Sequence, residues 1–385
     1  MKYPTAVRRL VRVARAAGTA ARPTQEVQDL SRTRKIAAVA IGITVLVPTA
    51  AQAATRTVSA GPPQKVKGLP PGADSNAFFR KTITVHVGDK VKWKFNGFHT
   101  VTLPAKGKKP PAFIGLDPAG GKTAGVNDAA GNPFWFNGLP KLTLQPDGAL
   151  PAGGKSYNGK KLVSSGAPLG AGAPKPYTVK FTKKGVYSYY CTIHPGQKGK
   201  VKVVGKAKAI PSNKANAKAA KKEYAKVVKQ LKKDGKFAGP PGNAVYAGKD
   251  TIDSTILAFF PTTKSVPVGT TVTFSMSPKT TEAHTISFGP ADYLQATADG
   301  FIGPDPANPA GLPVVSSLAA YPSDPPPTLV ADGSNHGNGY VNTGVIDGDA
   351  ASPQATSSQV TFSKAGTYNY ICLIHPDMKG SIVVG

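Results

Sequence analysis

Apolar and polar residues take turns along much of this chain. The alternation is plain in Thr82-Ile83-Thr84-Val85-His86-Val87, Val91-Lys92-Trp93-Lys94-Phe95, Tyr177-Thr178-Val179-Lys180-Phe181 and Gln359-Val360-Thr361-Phe362. A period of two places one face of a strand against a core and the other in water, so these runs predict half-buried antiparallel strands. Residues 200–204 and 381–384 predict two more. Gly and Pro, 42 and 36 of 385 residues, punctuate the runs. Helical periodicity is confined to one place. Ser212 is a candidate N-cap for a helix ending near Lys233 at Asp234-Gly235, with Ala220, Tyr224, Val227, Val228 and Leu231 on one face and lysines around the rest. The predicted class is all-β, with two sandwiches.

Two sandwiches follow from an internal repeat as well as from length. Val87-Gly88-Asp89-Lys90-Val91-Lys92-Trp93 matches Val268-Gly269-Thr270-Thr271-Val272-Thr273-Phe274, and Phe98-His99-Thr100-Val101 matches Ala283-His284-Thr285-Ile286. Phe113-Ile114-Gly115 with Asp117-Pro118-Ala119 returns as Phe301-Ile302-Gly303 with Asp305-Pro306-Ala307. The run from Gly185 to Pro195 returns from Gly366 to Pro376. Four blocks in one order mark a duplication. The sequence therefore divides into an export signal (1–53), a first domain (54–205), a basic, partly helical linker (206–250) and a second domain (251–385).

The export reading rests on order: a basic stretch, the apolar run Ile36–Val47, Pro48, then Ala50-Ala51-Gln52-Ala53. That is the layout of a signal cleaved after Ala53, and Arg8-Arg9 lies too far upstream to make a strong twin-arginine signal. The apolar run is shorter than the ~20 residues that a stable span needs. A periplasmic, cell-surface or secreted protein is expected. The formal net charge of +28 is unevenly spread: the first half and the linker are basic, whereas residues 241–385 carry 5 basic and 11 acidic side chains. The basic side chains are spread through strands and loops rather than grouped with stacking aromatics, and no nucleic-acid motif appears, so nucleic acid is not an expected partner.

The candidate chemistry lies in two matching frames, Cys191-x-x-His194-x-x-Gln197 and Cys372-x-x-His375-x-x-Met378, each preceded by a remote histidine, His99 or His284. A thiolate, two imidazoles and a weak axial donor form the trigonal set that holds copper for electron transfer. With the strand-ending pattern Gly366-x-Tyr368-x-Tyr370-x-Cys372, the two units resemble cupredoxins, the blue-copper family, in its short-loop amicyanin-type form. The resemblance implies tandem Greek-key sandwiches and up to two type 1 coppers per chain. It implies ligation by His99, Cys191, His194 and Gln197, and by His284, Cys372, His375 and Met378. It also implies a redox partner protein, of anionic character given the basic first half, docking near the copper end. Gln197 departs from the usual methionine; an amide oxygen is the harder donor and implies a lower potential at the first site. A second departure is length: 91 residues separate His99 from Cys191 and 87 separate His284 from Cys372. Each unit therefore holds an insertion, and its recurrence predicts an ordered lobe near the copper end.

Rival readings are a disulfide between the two cysteines, which leaves the histidines unexplained, a structural zinc, which lacks a fourth strong ligand, and a Cys–His nucleophile, which does not account for the remote histidine. A multicopper enzyme needs more imidazoles. Only His86 and His336 remain after the two sites, and no His-x-His occurs. An electron carrier without catalysis of its own is expected, with copper storage, delivery or surface attachment as the other class. His86 reads as a strand histidine, and His336 lies in a loop with no role assigned by the motif.

Overall fold

In the strand Lys90–Phe95, Val91 and Trp93 are fully buried while Lys90 and Lys94 face water. The strands Thr82–His86, Tyr177–Phe181 and Gly185–Tyr190 alternate in the same way. Inward-facing Val58, Val91, Trp93, Val179 and Phe181 of one sheet meet Ile83, Val85, Tyr187, Tyr189 and Val201 of the other in a single core. Trp93 packs edge-on to Tyr189 at 5.2 Å between ring centroids, a preferred aromatic geometry. This is the first sandwich of the computed structural model, which describes residues 53–169, 172–251, 253–327 and 329–385. The leader, residues 1–52, lies outside the described residues.

The first sandwich pairs a five-stranded with a six-stranded sheet. Its core strands are Thr55–Ala60, Lys90–Phe95 and Tyr177–Phe181 on one side and Thr82–His86, Lys198–Val204 and Gly185–Tyr190 on the other. The second sandwich repeats the plan: Ala244–Asp250, Thr271–Met276 and Ser357–Phe362 face Thr263–Val266, Lys379–Val384 and Gly366–Ile371. Thr55–Ala60 runs parallel to Lys90–Phe95, and Ala244–Asp250 runs parallel to Thr271–Met276. The strand Ala244–Asp250 thus belongs to the second sandwich although it lies in the stretch read as linker. The protein is all-β with few helices.

Three features fasten the halves together. Ala73–Asp74, from the first half, pairs with Thr255–Phe260 of the second. The helix Asn213–Asp234 is capped by Ser212, whose side chain accepts the Ala215 N–H at 3.2 Å, and it ends at Gly235. Its buried face, Ala220, Tyr224, Val227 and Leu231, packs with Ala77 and Phe79 of the first half and with Ile256 and Phe260 of the second. Finally, the insertions share a four-stranded sheet in the order Ile302–Gly303, Val314–Val315, Leu142–Leu144, Ile114–Leu116. The two copies of the Phe-Ile-Gly block form its outer strands, and Val314 pairs with Thr143 at its centre. Lys141 reaches Asp305 across the same junction at 2.7 Å. Among the described residues no helix is long and apolar enough to cross a membrane.

Candidate metal centres

Each cysteine ends a core strand and opens a tight loop. The Cys191 N–H donates to the Gln197 carbonyl at 3.0 Å and the Gln197 N–H to the His194 carbonyl at 3.2 Å. The second loop copies this: Cys372 N–H to the Met378 carbonyl at 3.0 Å, Met378 N–H to the His375 carbonyl at 2.8 Å. The remote segments are pinned to these loops by a threonine beside each histidine. The Thr100 N–H points at Cys191 Sγ (3.4 Å) while its hydroxyl accepts the Thr192 N–H at 2.8 Å. Thr285 does the same for Cys372 Sγ (3.4 Å) and the Leu373 N–H (2.8 Å).

The result is two clusters, His99–Cys191–His194 and His284–Cys372–His375, each with its donor atoms within 4.8 Å of one another. In the first, His194 Nδ1 lies 3.4 Å from Cys191 Sγ and 3.1 Å from His99 Nδ1. In the second, Cys372 Sγ is 3.7 Å from both His284 Nδ1 and His375 Nδ1, which are 3.3 Å apart. A first-row ion about 2.0 Å from nitrogen and about 2.3 Å from thiolate separates trigonal donors by roughly 3.5–3.8 Å; the second cluster is close to that size and the first is a few tenths of an ångström tighter. The cysteines are free and buried, so the disulfide reading is absent from the structure. Gln197 and Met378 are buried at the ends of the same loops. Neither polar atom of the Gln197 amide has a hydrogen-bond partner. A buried, unpartnered amide on the loop that carries the thiol and one of the imidazoles is compatible with a metal-binding role, since such groups are otherwise costly.

Burial pushes His284 well below the usual imidazole range, and burial together with the His194 charge takes His375 down to about 3. Both are therefore neutral at physiological pH, the state in which imidazole ligates a metal. The thiols differ. Burial raises Cys372, whereas at Cys191 burial is overcome by the His99 hydrogen bond and charge and by the N–H groups of Thr100 and His194, which leave its thiol lowered.

Sequence reasoning missed three sets of residues. Gly61 and Gly248, both at positive φ, sit under the remote histidines: a Cβ there would lie 2.8 Å from His99 Nε2 and 2.5 Å from His284 Nε2. Their signal is a further repeat match, Val58-Ser59-Ala60-Gly61 with Val245-Tyr246-Ala247-Gly248. The threonine pins stood inside a quoted block but carried no chemistry by themselves. Glu282 is the third: its Oε1 lies 3.8 Å from His194 Nε2 and 3.7 Å from His375 Nε2. The remaining histidines lie in other settings. His86 contacts the Lys208 carbonyl at 2.7 Å, and His336 lies between Asp128 (3.3 Å) and Asp324 (3.4 Å). The insertions do reach the ligand loops: Phe113, Leu144 and Ala149 pack with Ile193, and Phe134, Phe136 and Leu294 with Leu373.

No family profile and no curated sequence matches the chain. Among solved structures, the chain is similar to a methionine-to-alanine mutant of amicyanin in its Cu(I) form at 18% identity, over 39% of this chain and 82% of that one, with a TM-score of 0.20. It is also similar to a purple cupredoxin from Nitrosopumilus maritimus at 15% identity, over 39% and 99% of the two chains, with a TM-score of 0.17.

Proposed function

We propose that the protein is an exported blue-copper electron carrier with two type 1 centres and no catalysis of its own. The observation that carries this reading is the twofold occurrence of one thiol and two imidazole Nδ1 atoms converging within 4.8 Å, all buried except the half-buried His375. Copper, when bound, supplies one-electron exchange. The chain supplies the rest. His99, Cys191 and His194, with Gln197 as the fourth donor, hold the first ion; His284, Cys372 and His375, with Met378, hold the second. The soft thiolate suits Cu(I) while the imidazoles serve both oxidation states. The loops are fixed by hydrogen bonds that involve no metal, so the donors need move little when charge changes. At the second cluster burial holds His284 and His375 neutral.

With copper bound, the first centre would have the lower potential, because the amide oxygen of Gln197 is a harder donor than the Met378 thioether. A redox partner protein completes the cycle; the lysines of the first half favour an anionic one, whose docking weakens with salt as exposed charges are screened over ~8–10 Å. Copper analysis of the purified protein tests the assignment. Two coppers per chain are expected, with an intense thiolate-to-copper(II) visible band. Cys372→Ser and Cys191→Ser should each remove one copper and its share of the band. Loss of neither copper on either substitution rejects the sites, and slow electron exchange with ready Cu(I) release points instead to copper delivery.

A further inference from the structure

The repeat is broken at one position beside the centres. His99 is preceded by Gly97-Phe98 and His284 by Glu282-Ala283, so Glu282 stands where the first unit has a glycine. In the first unit a Cβ at Gly97 would already lie 3.0 Å from His99 Nε2. One unit thus has a carboxylate at this place and the other has none.

That carboxylate lies between the two loops. Its Oε2 accepts from Asn76 Nδ2 at 2.8 Å, and the Glu282 backbone N–H donates to Asp250 Oδ2 at 3.1 Å. The first bond orients the side chain from the first half, and the second fixes the Glu282 backbone within its own half. Oε1 then faces His194 Nε2 at 3.8 Å and His375 Nε2 at 3.7 Å, one loop histidine from each centre. These are charge-contact distances, longer than a hydrogen bond. The remote histidines are treated differently: the Nε2 atoms of His99 and His284 are buried without a partner. The acceptor therefore serves the loop histidines alone.

Histidine has two ring nitrogens, and in the neutral ring one accepts while the other carries the proton. Nδ1 of each loop histidine points into its own cluster. Ligation through Nδ1 leaves the proton on Nε2, so two N–H groups face one carboxylate oxygen, which has a lone pair for each. We infer that Glu282 is a positioning residue shared by both metal centres: a single outer acceptor that fixes the tautomer and ring orientation of His194 and His375 and so ties the two centres into one unit. The inference rests on the proposed copper assignment and deepens it. A histidine ligand ordinarily has its own outer acceptor; here the duplication has left one acceptor for two ligands, which lets the metal state of one centre bear on the other.

The test uses the full chain loaded with Cu(I), which is diamagnetic, and imidazole nitrogen NMR. Wild type should show Nε2–H signals for His194 and His375 displaced from those of His99 and His284 by the neighbouring carboxylate. Glu282→Ala should move both signals, leave those of His99 and His284 in place, and weaken copper binding at both centres by roughly 10–100-fold, the usual effect of losing an outer partner. Glu282→Gln keeps an acceptor oxygen of the same reach and should restore most of the affinity. Copper bound normally at both centres, with only one histidine signal moved or neither, overturns the shared role while leaving the copper assignment intact. A wild-type chain that takes up no copper overturns that assignment, and the shared role with it.

Discussion

A methyl group on Gly248 would lie 2.5 Å from His284 Nε2, and the residue sits at φ +72, where an L side chain is strained. Gly61 presents the same problem under His99 at φ +83. At Gly248 the imidazole is the nearest obstacle, whereas at Gly61 the Asn96 backbone carbonyl lies nearer still than the ring. Gly248→Ala and Gly61→Ala are each expected to lower stability by about 1–3 kcal/mol and to weaken copper uptake at their own centre alone. Urea unfolding of the metal-free chain and copper titration, read separately for each centre, check this. The two His–Cys–His clusters were partly legible because Cys-x-x-His is a local spacing and the repeat carries it twice. The glycines were less so, since a short match such as Val-x-Ala-Gly means nothing until the backbone is seen to pass beneath a ring. Glu282 was illegible: no linear pattern says that two loops, one far upstream of it and one far downstream, will face the same carboxylate.

The helix Asn213–Asp234 shows what a local signal can carry at the scale of an element. A serine cap, a lysine-rich outer face and a terminal glycine set its ends, because capping uses groups adjacent in sequence. Its apolar face, however, does not announce a partner. Tyr224 packs edge-on to Phe79 of the first half at 5.3 Å, and Arg80 pairs with Glu223 at 3.0 Å. Joining both halves, the helix is a packed element of the junction. Ser212→Ala removes the acceptor of the Ala215 N–H and should cost about 1 kcal/mol, seen as a lower urea midpoint with an unchanged m value and faster amide exchange confined to the first turn. A larger, molecule-wide loss would mean that the cap also anchors the junction. The insertions are the opposite case. Their strands are two or three residues long and their pairing crosses between units, as Val314 with Thr143 does. Period-two reasoning needs four or more residues, so recurrence predicted order there but not the shared sheet.

Across the whole molecule, the charge asymmetry between the halves is partly satisfied internally. Lys81 reaches Asp253 at 2.6 Å and Lys141 reaches Asp305 at 2.7 Å, each pair joining the basic half to the acidic one. His336 extends this to a titratable joint: it lies between Asp324 of its own half and Asp128 of the first insertion, and its carbonyl accepts the Ala129 N–H at 3.0 Å. The Asp324 hydrogen bond, helped by Asp128 and against the effect of burial, raises the His336 pKa above its ordinary value. A raised histidine stabilises the fold fully below its unfolded pKa of about 6.5, and that contribution is lost as pH rises through the folded value. The His336 hydrogen bond lowers Asp324; at Asp128 burial opposes the shift, but the N–H groups of Asn132 and Ala130 and the His336 ring outweigh it. Lowered carboxylates stabilise above their unfolded pKa of about 3.9 and lose that contribution as pH falls through the folded value. The joint is therefore strongest between about pH 4 and about pH 6.5 and weakens on the alkaline side. His336→Asn is the informative variant, because the residue sits at φ 54 and asparagine tolerates that conformation without adding strain. Comparing urea midpoints at about pH 5.5 and about pH 8.5, the wild type should exceed the variant by more at the lower pH. An equal gap at both would mean that the ring acts through packing against Phe134, whose centroid is 4.7 Å away, and not through its charge.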